Sequence, residues 1–372
     1  MGTKRILVTG GAGFVGSFLV DKLVEEGHTV RIFDLLDPQV HPDGPPPYLN
    51  REAEFIRGDI RDCDALEKAL RDVEVVFHQA AVVGVGQSQY QIKRYVESNI
   101  GGTANLLDRV VNGKTRVEKL IIAASMSSYG EGKYGCTACG DARPDLRSES
   151  QMAGEDWEVR CPSCGRALHP KPTDESTPQT SNSIYGITKK TQEEMVLNVG
   201  RTYHLPTVAL RYFNIFGPRQ SLSNPYTGVA AIFMSRIKND HPPVVYEDGK
   251  QTRDFISVHD IVQANLLAMQ RPEADYHVFN VGRGEPVSIQ QVAKTLARLY
   301  ESDLQPHITR QFRKGDIRHC YADIGLIRDR LGFSPRISFE QGMRELVAWA
   351  ESAEAHDHFD RAARELRQRS LI

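Results

Sequence analysis

Residues 5–16 read Arg5-Ile6-Leu7-Val8-Thr9-Gly10-Gly11-Ala12-Gly13-Phe14-Val15-Gly16. Ile6 to Val8 form a short apolar strand and Ser17 to Glu25 continue as a helix, so the glycines occupy a strand-to-helix turn. Gly10, Gly13 and Gly16 fit a GxxGxxG spacing, while Gly11, Gly13 and Gly16 fit GxGxxG. In either register the first glycines permit a tight turn, the middle one lets the backbone approach a pyrophosphate, and the last lets helix and strand pack closely. A phosphate then sits at the positive end of the helix. Asp34 closes the second strand about 20 residues further on, where a carboxylate accepts hydrogen bonds from adenosine ribose hydroxyls and repels a 2′-phosphate. Leu35 and Leu36 follow, with no arginine to hold such a phosphate, so NAD is favoured over NADP. Asp59 in Gly58-Asp59-Ile60, at the end of the third strand, is placed for the adenine amino group.

Outward from this turn, apolar runs at Arg5 to Thr9, Val30 to Phe33, Val73 to His78 and Leu120 to Ser125 alternate with amphipathic stretches. Strands separated by helices predict an α/β fold, a doubly wound parallel sheet of the Rossmann type. Asp43 to Pro47, rich in proline and glycine, is a loop after the second strand. The alternation stops at Gly132 and resumes after Pro172 with a helix over Tyr185 to Thr202 and a strand over Thr207 to Phe213. The expected division is 1–131 and 173–217, rejoined by about 255–283, for the dinucleotide domain; 132–172 for an insertion; and 218–254 with 284–351 for a smaller second domain. From Ser352 the chain is charged with a thin apolar stripe (Phe359, Ala363, Leu366), which reads as a solvated C-terminal helix.

Within the insertion, Cys136-Thr137-Ala138-Cys139-Gly140 and Cys161-Pro162-Ser163-Cys164-Gly165 are separated by 21 residues, close to zinc-ribbon spacing. Each pair reads as a knuckle whose glycine turns the backbone so that amides face the thiolates. Four thiolates leave no open coordination position, so the Zn2+ bound by Cys136, Cys139, Cys161 and Cys164 is structural and gives about 40 otherwise coreless residues a reason to fold. The insertion leaves the sheet beside Ser125, placed either to cover the site as a lid or to stand away from it as a knob. Cys63 and Cys320 have no partner by spacing.

The 372 residues include 46 Lys plus Arg against 48 Asp plus Glu, a formal charge of −2, with 40% hydrophobic and 25% charged residues. This balance offers no electrostatic case for nucleic acid or an anionic membrane and excludes disorder for most of the chain. No apolar run approaches a membrane span, and Met1 to Arg5 lead directly into a strand, so a cytoplasmic location is expected.

Tyr185-Gly186-Ile187-Thr188-Lys189 puts a phenol and an ammonium on one helix face, one turn apart. Upstream, Ser125, Ser127 and Ser128 end a strand of the nucleotide-binding sheet. Serine, tyrosine and lysine in this order make the chain resemble the extended short-chain dehydrogenase/reductase family, in its branch of nucleotide-sugar epimerases and dehydratases. His78-Gln79-Ala80-Ala81, Asn99 in Ser98-Asn99-Ile100-Gly101-Gly102-Thr103, Arg211-Tyr212-Phe213-Asn214 and Gln251-Thr252-Arg253-Asp254-Phe255 extend the likeness from about Lys4 to about Trp349, outside the insertion. The resemblance implies that Tyr185 is the general base, its pKa lowered by Lys189 and the positive nicotinamide ring. It implies that Ser125 bonds the same substrate hydroxyl and that Lys189 also holds the nicotinamide ribose. Gly10, Gly13, Phe14, Val15, Gly16, Asp34, Asp59, Ile60, Ala80, Ala81, Asn99, Tyr185, Lys189 and Tyr212 would then hold a tightly bound NAD. Ser125, Ser127, Asn214, Tyr246, Arg253, Arg313 and Cys320 would hold a nucleotide sugar, with Asn214 and the two arginines on the pyrophosphate, Tyr246 against the base and Cys320 against the sugar. A homodimer paired through the helices near Asn99 and Tyr185 is also implied.

Relatives that eliminate water carry Thr-Asp-Glu where this chain has Ser125-Met126-Ser127, and methionine cannot transfer a proton. A 4-epimerase needs no further proton carrier, because Tyr185 can take and return one proton while the keto sugar turns over. The insertion after Tyr129-Gly130, together with Met126-Ser127, resembles a subgroup acting on dTDP-L-rhamnose to give dTDP-6-deoxy-L-talose. UDP-glucose or UDP-N-acetylglucosamine 4-epimerisation, a dehydratase or reductase, and an NAD-binding regulatory module with a zinc knob are the alternatives.

Overall fold

A computed structural model of the chain describes residues 2–372. Its central sheet is built from β1 (Arg5–Thr9), β2 (Thr29–Asp34), β3 (Glu54–Arg57), β4 (Val75–His78), β5 (Lys119–Ser125), β6 (Thr207–Tyr212) and β7 (His277–Val281). The strands are all parallel and lie in the order β7-β6-β5-β4-β1-β2-β3. β2 and β4 flank β1 on opposite sides, so the strand order reverses there and leaves a crevice at the carboxyl ends of β1 and β4.

The alternation of side chains along each strand decides the two cores. Ile6 and Val8 pack with Leu19, Val20 and Leu23 of the helix Phe14–Glu25 and with Ile261 of the helix Val258–Gln270. Leu7, between them, faces the opposite layer with Leu66, Leu106 and Val196. Because both faces are covered, β1 and β5 are continuous apolar runs instead of alternating ones. Each fully buried Leu or Ile contributes about 1.5–3 kcal/mol, so substitutions in either layer act on the sheet that carries the site.

A separate core lies outside the central sheet, with Phe216, Phe233, Phe255, Leu296 and Leu346 among its members, so Phe216 and Phe255, at the edges of the expected dinucleotide segments, pack with the expected second domain. Its sheet pairs Thr252–Ser257 with Asn214–Phe216, Pro286–Ser288 and His319–Cys320.

The insertion folds as a three-stranded antiparallel sheet, Gly140–Ala142, Lys133–Cys136 and His169–Lys171, over a small core containing Tyr134, Val159 and Leu168. Both of its stems are pinned to the second domain. Gly132 donates to the His319 carbonyl at 3.1 Å, Thr173 donates to the Tyr321 carbonyl at 2.8 Å, and Asp323 donates to the Thr173 carbonyl at 2.9 Å. A buried ionic cluster completes the attachment. Arg147 donates two bonds of 2.9 Å to Glu247, and Arg318, fully buried, pairs with Glu158 at 2.7 Å, Glu247 at 2.9 Å and Asp248 at 2.7 Å.

The C-terminal helix Phe359–Arg367 departs from the solvated reading: Ala362, Ala363 and Leu366 are buried. Its stripe was too short to distinguish an exposed amphipathic helix from one docked on a neighbour. Among the described residues no helix is long and apolar enough to cross a membrane.

Candidate active site

The crevice opens into a cavity of about 810 Å³ that runs from the glycine turn to the second domain. At one end the turn is held tight. Gly10 has φ +71°, and a Cβ there would meet the Ala80 nitrogen at 2.7 Å; a Cβ on Gly16 would stand 2.2 Å from the Gly10 carbonyl. Side chains are therefore excluded where helix, turn and β4 meet, and the backbone itself lines the cavity. The helix that follows has Gly13 as N-cap with no side-chain cap and no acid in its first turn, which leaves its N–H groups for an anion. Asp34 accepts hydrogen bonds from Ala12 N at 3.0 Å and Leu36 N at 2.8 Å, fixing its carboxylate at the cavity edge. Asp59 accepts from the Arg61 backbone at 2.9 Å and from its guanidinium, which holds the carboxyl below its usual range. Phe14, Val15, Ile60, Ala80, Ala81 and Tyr212 line the same stretch. The cradle thus fits an adenine dinucleotide in shape and polarity.

Asn99 stands apart from the expected set. It does not line the cavity; it is fully buried in a π-helical turn, Val96–Gly101, accepting from Val82 N at 2.8 Å and donating to Val82 O at 3.1 Å and Thr188 Oγ1 at 3.0 Å. It therefore fixes the Val82 loop, which does line the cavity, and ties it to the helix bearing Tyr185. His78 is likewise a strut: its ring bridges Thr9 and Thr103 at 2.8 Å each, and burial, then Lys189, pushes its pKa down to about 3.

Tyr185 and Lys189 project from the helix Ile184–Tyr203, whose start is capped by Ser183 accepting from Gly186 N at 3.0 Å. Ser125 closes β5 opposite them, and all three line the cavity. Lys189 Nζ donates to the Ala123 carbonyl at 2.9 Å, and burial lowers its pKa to about 7. Burial pushes Tyr185 up to about 12, against a hydrogen bond with Ser125 that lowers it. The expected depression of the phenol by Lys189 is thus absent from the protein's own electrostatics. Both groups are desolvated, so the phenolate form needs a positive charge brought in beside it.

At the far end Ser127, Asn214, Tyr246, Arg253 and Arg313 all line the cavity. Arg253 is held by the carbonyls of Thr252 (2.8 Å), Arg318 (3.1 Å) and Ile317 (2.7 Å). Arg313 donates to Asp316 at 2.8 Å and lies 5.0 Å from the Tyr246 ring centroid. Three amide oxygens here, of Asn214, Gln220 and Gln251, are buried with no partner, which marks polar groups awaiting a ligand. Cys320 does not belong to this wall. It is buried with Met126, Tyr129, Phe213, Ile317 and Ala322, its Sγ 3.8 Å from Thr173 Oγ1, so it packs behind the site.

No residue between Gly130 and Asn182 lines the cavity, so the insertion is not its lid. It stands behind Arg253 and the 317–320 segment as a buttress. The sulfur atoms of Cys136, Cys139, Cys161 and Cys164 lie within 4.8 Å of one another. Gly140 (φ 82°) and Gly165 (φ 71°) take the left-handed turn a knuckle requires. Backbone N–H groups of Ala138 and Ser163 lower the pKa of Cys136 and Cys161 respectively. Sequence reasoning found the C-terminal helix but left it in solvent and missed its place on the cavity wall, which Phe359, Ala362, Ala363 and Leu366 line; its apolar stripe was the available signal.

The profile of the NAD dependent epimerase/dehydratase family matches residues 6–149 and 162–282. A dTDP-L-rhamnose 4-epimerase of Burkholderia thailandensis is 33% identical over 349 residues, covering 93% of this chain and 94% of that protein. The solved UDP-glucose 4-epimerase of Thermotoga maritima with UDP-glucose superposes with a TM-score of 0.77 at 32% identity, over 93% of this chain and 98% of that one. The UDP-glucose 4-epimerase of Thermus thermophilus in complex with NAD gives 0.74 at 27% identity, over 94% and 100%.

Proposed function

The chain belongs to the NAD-dependent epimerase/dehydratase family, and from that premise we propose that it is a nucleotide-sugar 4-epimerase whose substrate is dTDP-L-rhamnose. The observation that carries the reaction type is the set of acids on the cavity wall. Among the described residues these are Asp34, Asp37, Asp59 and Asp316. Asp34 is bound to backbone amides, Asp37 to Arg94 at 2.6 Å, Asp59 to Arg61, and Asp316 to Arg313. Beside Ser125 and Tyr185 stands Met126, which cannot transfer the second proton an elimination needs, and no carboxylic acid stands beside it. A reaction that needs one proton acceptor and returns that same proton fits this wall.

NAD, when bound, supplies a reversible hydride acceptor. Gly10, Gly13 and Gly16 would hold its pyrophosphate, Asp34 its adenosine ribose and Lys189 its nicotinamide ribose. Tyr185 takes the proton of the sugar C4 hydroxyl and later returns it, and Ser125 orients that hydroxyl. Asn214, Arg253 and Arg313 hold the substrate diphosphate, so the sugar can turn while the nucleotide stays anchored.

The sugar assignment is supported by the Burkholderia relative and by Met126-Ser127 with its following insertion. Turnover of a UDP-hexose is the second reading, favoured by the likeness to the Thermotoga enzyme bound to UDP-glucose. Structural Zn2+ in the insertion belongs to the same proposal. A tetrahedron of sulfurs about 2.3 Å from zinc has edges of about 3.8 Å, and Cys136 and Cys164 Sγ are 3.6 Å apart. A homodimer is supported by Ile92, Val96 and Ile187, apolar and exposed on the paired helices.

Incubation with dTDP-, UDP-, GDP- and CDP-sugars, followed by NMR, tests the reading. Inversion at C4 of dTDP-L-rhamnose without net consumption of NAD is expected. Loss of water from the sugar, or stoichiometric use of added cofactor, would overturn it.

A further inference from the structure

The C-terminal helix Phe359–Arg367 plays no part in the reading above, yet it forms one side of the cavity through Phe359, Ala362, Ala363 and Leu366. It is tied to both sides of the cleft. Just before it, Asp357 accepts from Arg236 at 3.1 Å and pairs with His241 at 2.6 Å, and the Arg236 guanidinium lies 4.8 Å from the Phe359 ring centroid. In its middle, Glu365 accepts from Tyr90 Oη and Tyr226 Oη, both at 2.8 Å, and these hydroxyls are 2.7 Å apart. Tyr90 follows β4 on the dinucleotide side, whereas Tyr226 belongs to the second domain. Beyond the helix, Leu371 O accepts from the backbone of Lys314, the neighbour of Arg313, at 3.0 Å, and the Arg369 guanidinium lies 4.2 Å from the Tyr90 ring centroid.

We propose that this helix is the retaining wall of the nucleotide-sugar site, contacting bound substrate through its apolar face, with Glu365 as the positioning residue that latches it across Tyr90 and Tyr226. The chemistry of the wall suits a sugar that must turn over. Alanine and leucine present no hydrogen-bond groups, so they exclude water without fixing the orientation of the ring, while Asn214, Arg253 and Arg313 keep the diphosphate. A helix latched to both domains also has to release at least one of them when substrate enters or leaves. A keto sugar that escapes before hydride returns would leave the cofactor as NADH; this consequence rests on the epimerase reading, whereas the effect on nucleotide release does not.

The test compares the full chain with a chain ending at Ala355 and with Glu365→Ala, each first checked for retained NAD and a cooperative thermal unfolding transition. Stopped-flow release of dTDP and of UDP is measured, then KM and kcat, then NADH absorbance during turnover. Hydrogen bonds to a charged group are the strong ones, so Glu365→Ala should speed nucleotide release about tenfold. The truncation should do so further, with KM rising, kcat within about twofold and NADH accumulating as activity decays. Unchanged release and KM in a folded Glu365→Ala variant would overturn the wall, even if the truncated chain fails to fold. Faster release in a protein that epimerises no sugar would leave the wall standing and refute the reaction instead.

Discussion

Replacing Arg318 by methionine should detach the cysteine insertion from the second domain and weaken substrate binding at a distance. The side chain is fully buried and joins Glu158 on the insertion to Glu247 and Asp248 on the second domain. Breaking a buried ion pair costs about 3–5 kcal/mol because the remaining charge is left uncompensated. Here the lower end applies. Glu247 keeps both bonds from Arg147, while Asp248 and Glu158, with side chains 24% and 41% exposed, can regain water. About 3 kcal/mol corresponds to roughly a hundredfold shift in the docking equilibrium. Arg253 is fixed by the carbonyls of Ile317 and Arg318, so loosening that segment should raise KM for the nucleotide sugar several-fold with little change in kcat. Amide hydrogen exchange should quicken over 132–172 and 313–323 while β1 to β5 stay protected. Adding Arg147→Met leaves Glu247 bare, so the double variant should exceed the sum of the singles by about 0.5–3 kcal/mol. Unchanged exchange over 132–172 together with an unchanged KM would refute the buttress.

Tyr185→Phe should abolish turnover while leaving nucleotide-sugar affinity nearly intact, since the diphosphate contacts lie elsewhere; calorimetry showing a binding loss as large as the rate loss would make Tyr185 an anchor. One zinc per chain is expected by elemental analysis, and Cys164→Ser should release it and loosen 132–172 without unfolding the dinucleotide domain; metal-free protein prepared without chelator would refute the site. Lys189 has a folded pKa of about 7 against the usual 10.5, so the unfolded chain binds the extra proton between those values. The Lys189 contribution to stability of the NAD-free protein should therefore rise with pH from about 7 towards 10 and be flat below 7, and Lys189→Met should flatten that rise in urea midpoints. Equal slopes in both proteins would show that Lys189 is solvated.

Much of the chemistry was legible because it depends on local spacing. The glycine turn needs a strand before it and a helix after it, Tyr185 and Lys189 share a helix face by virtue of the 3.6-residue period, and a pair of Cys-x-x-Cys-Gly knuckles needs only its own backbone. The strand runs found in the sequence match β1, β2, β4 and β5 to within two residues, because strands buried on both faces must be continuously apolar. Asn99 and Cys320 lie off the cavity wall for a shared reason. Motif position gives the element a residue lies on but not the direction its side chain takes, and both turn into the protein, one onto the Val82 loop and the other against Thr173.

The sequence by itself determined the dinucleotide fold, the Ser125, Tyr185 and Lys189 set and the four-cysteine cluster, since each is specified by residues close together or by a repeating period. Only the tertiary structure decided which partners the outlying segments meet. Arg318 and Glu158 are 160 residues apart, and Tyr90 and Glu365 are 275 apart. No local preference encodes such pairs; they exist because the parallel sheet and the second domain bring distant loops to the same rim. That placement turned the insertion into a buttress behind Arg253, and a charged tail into a wall of the cavity.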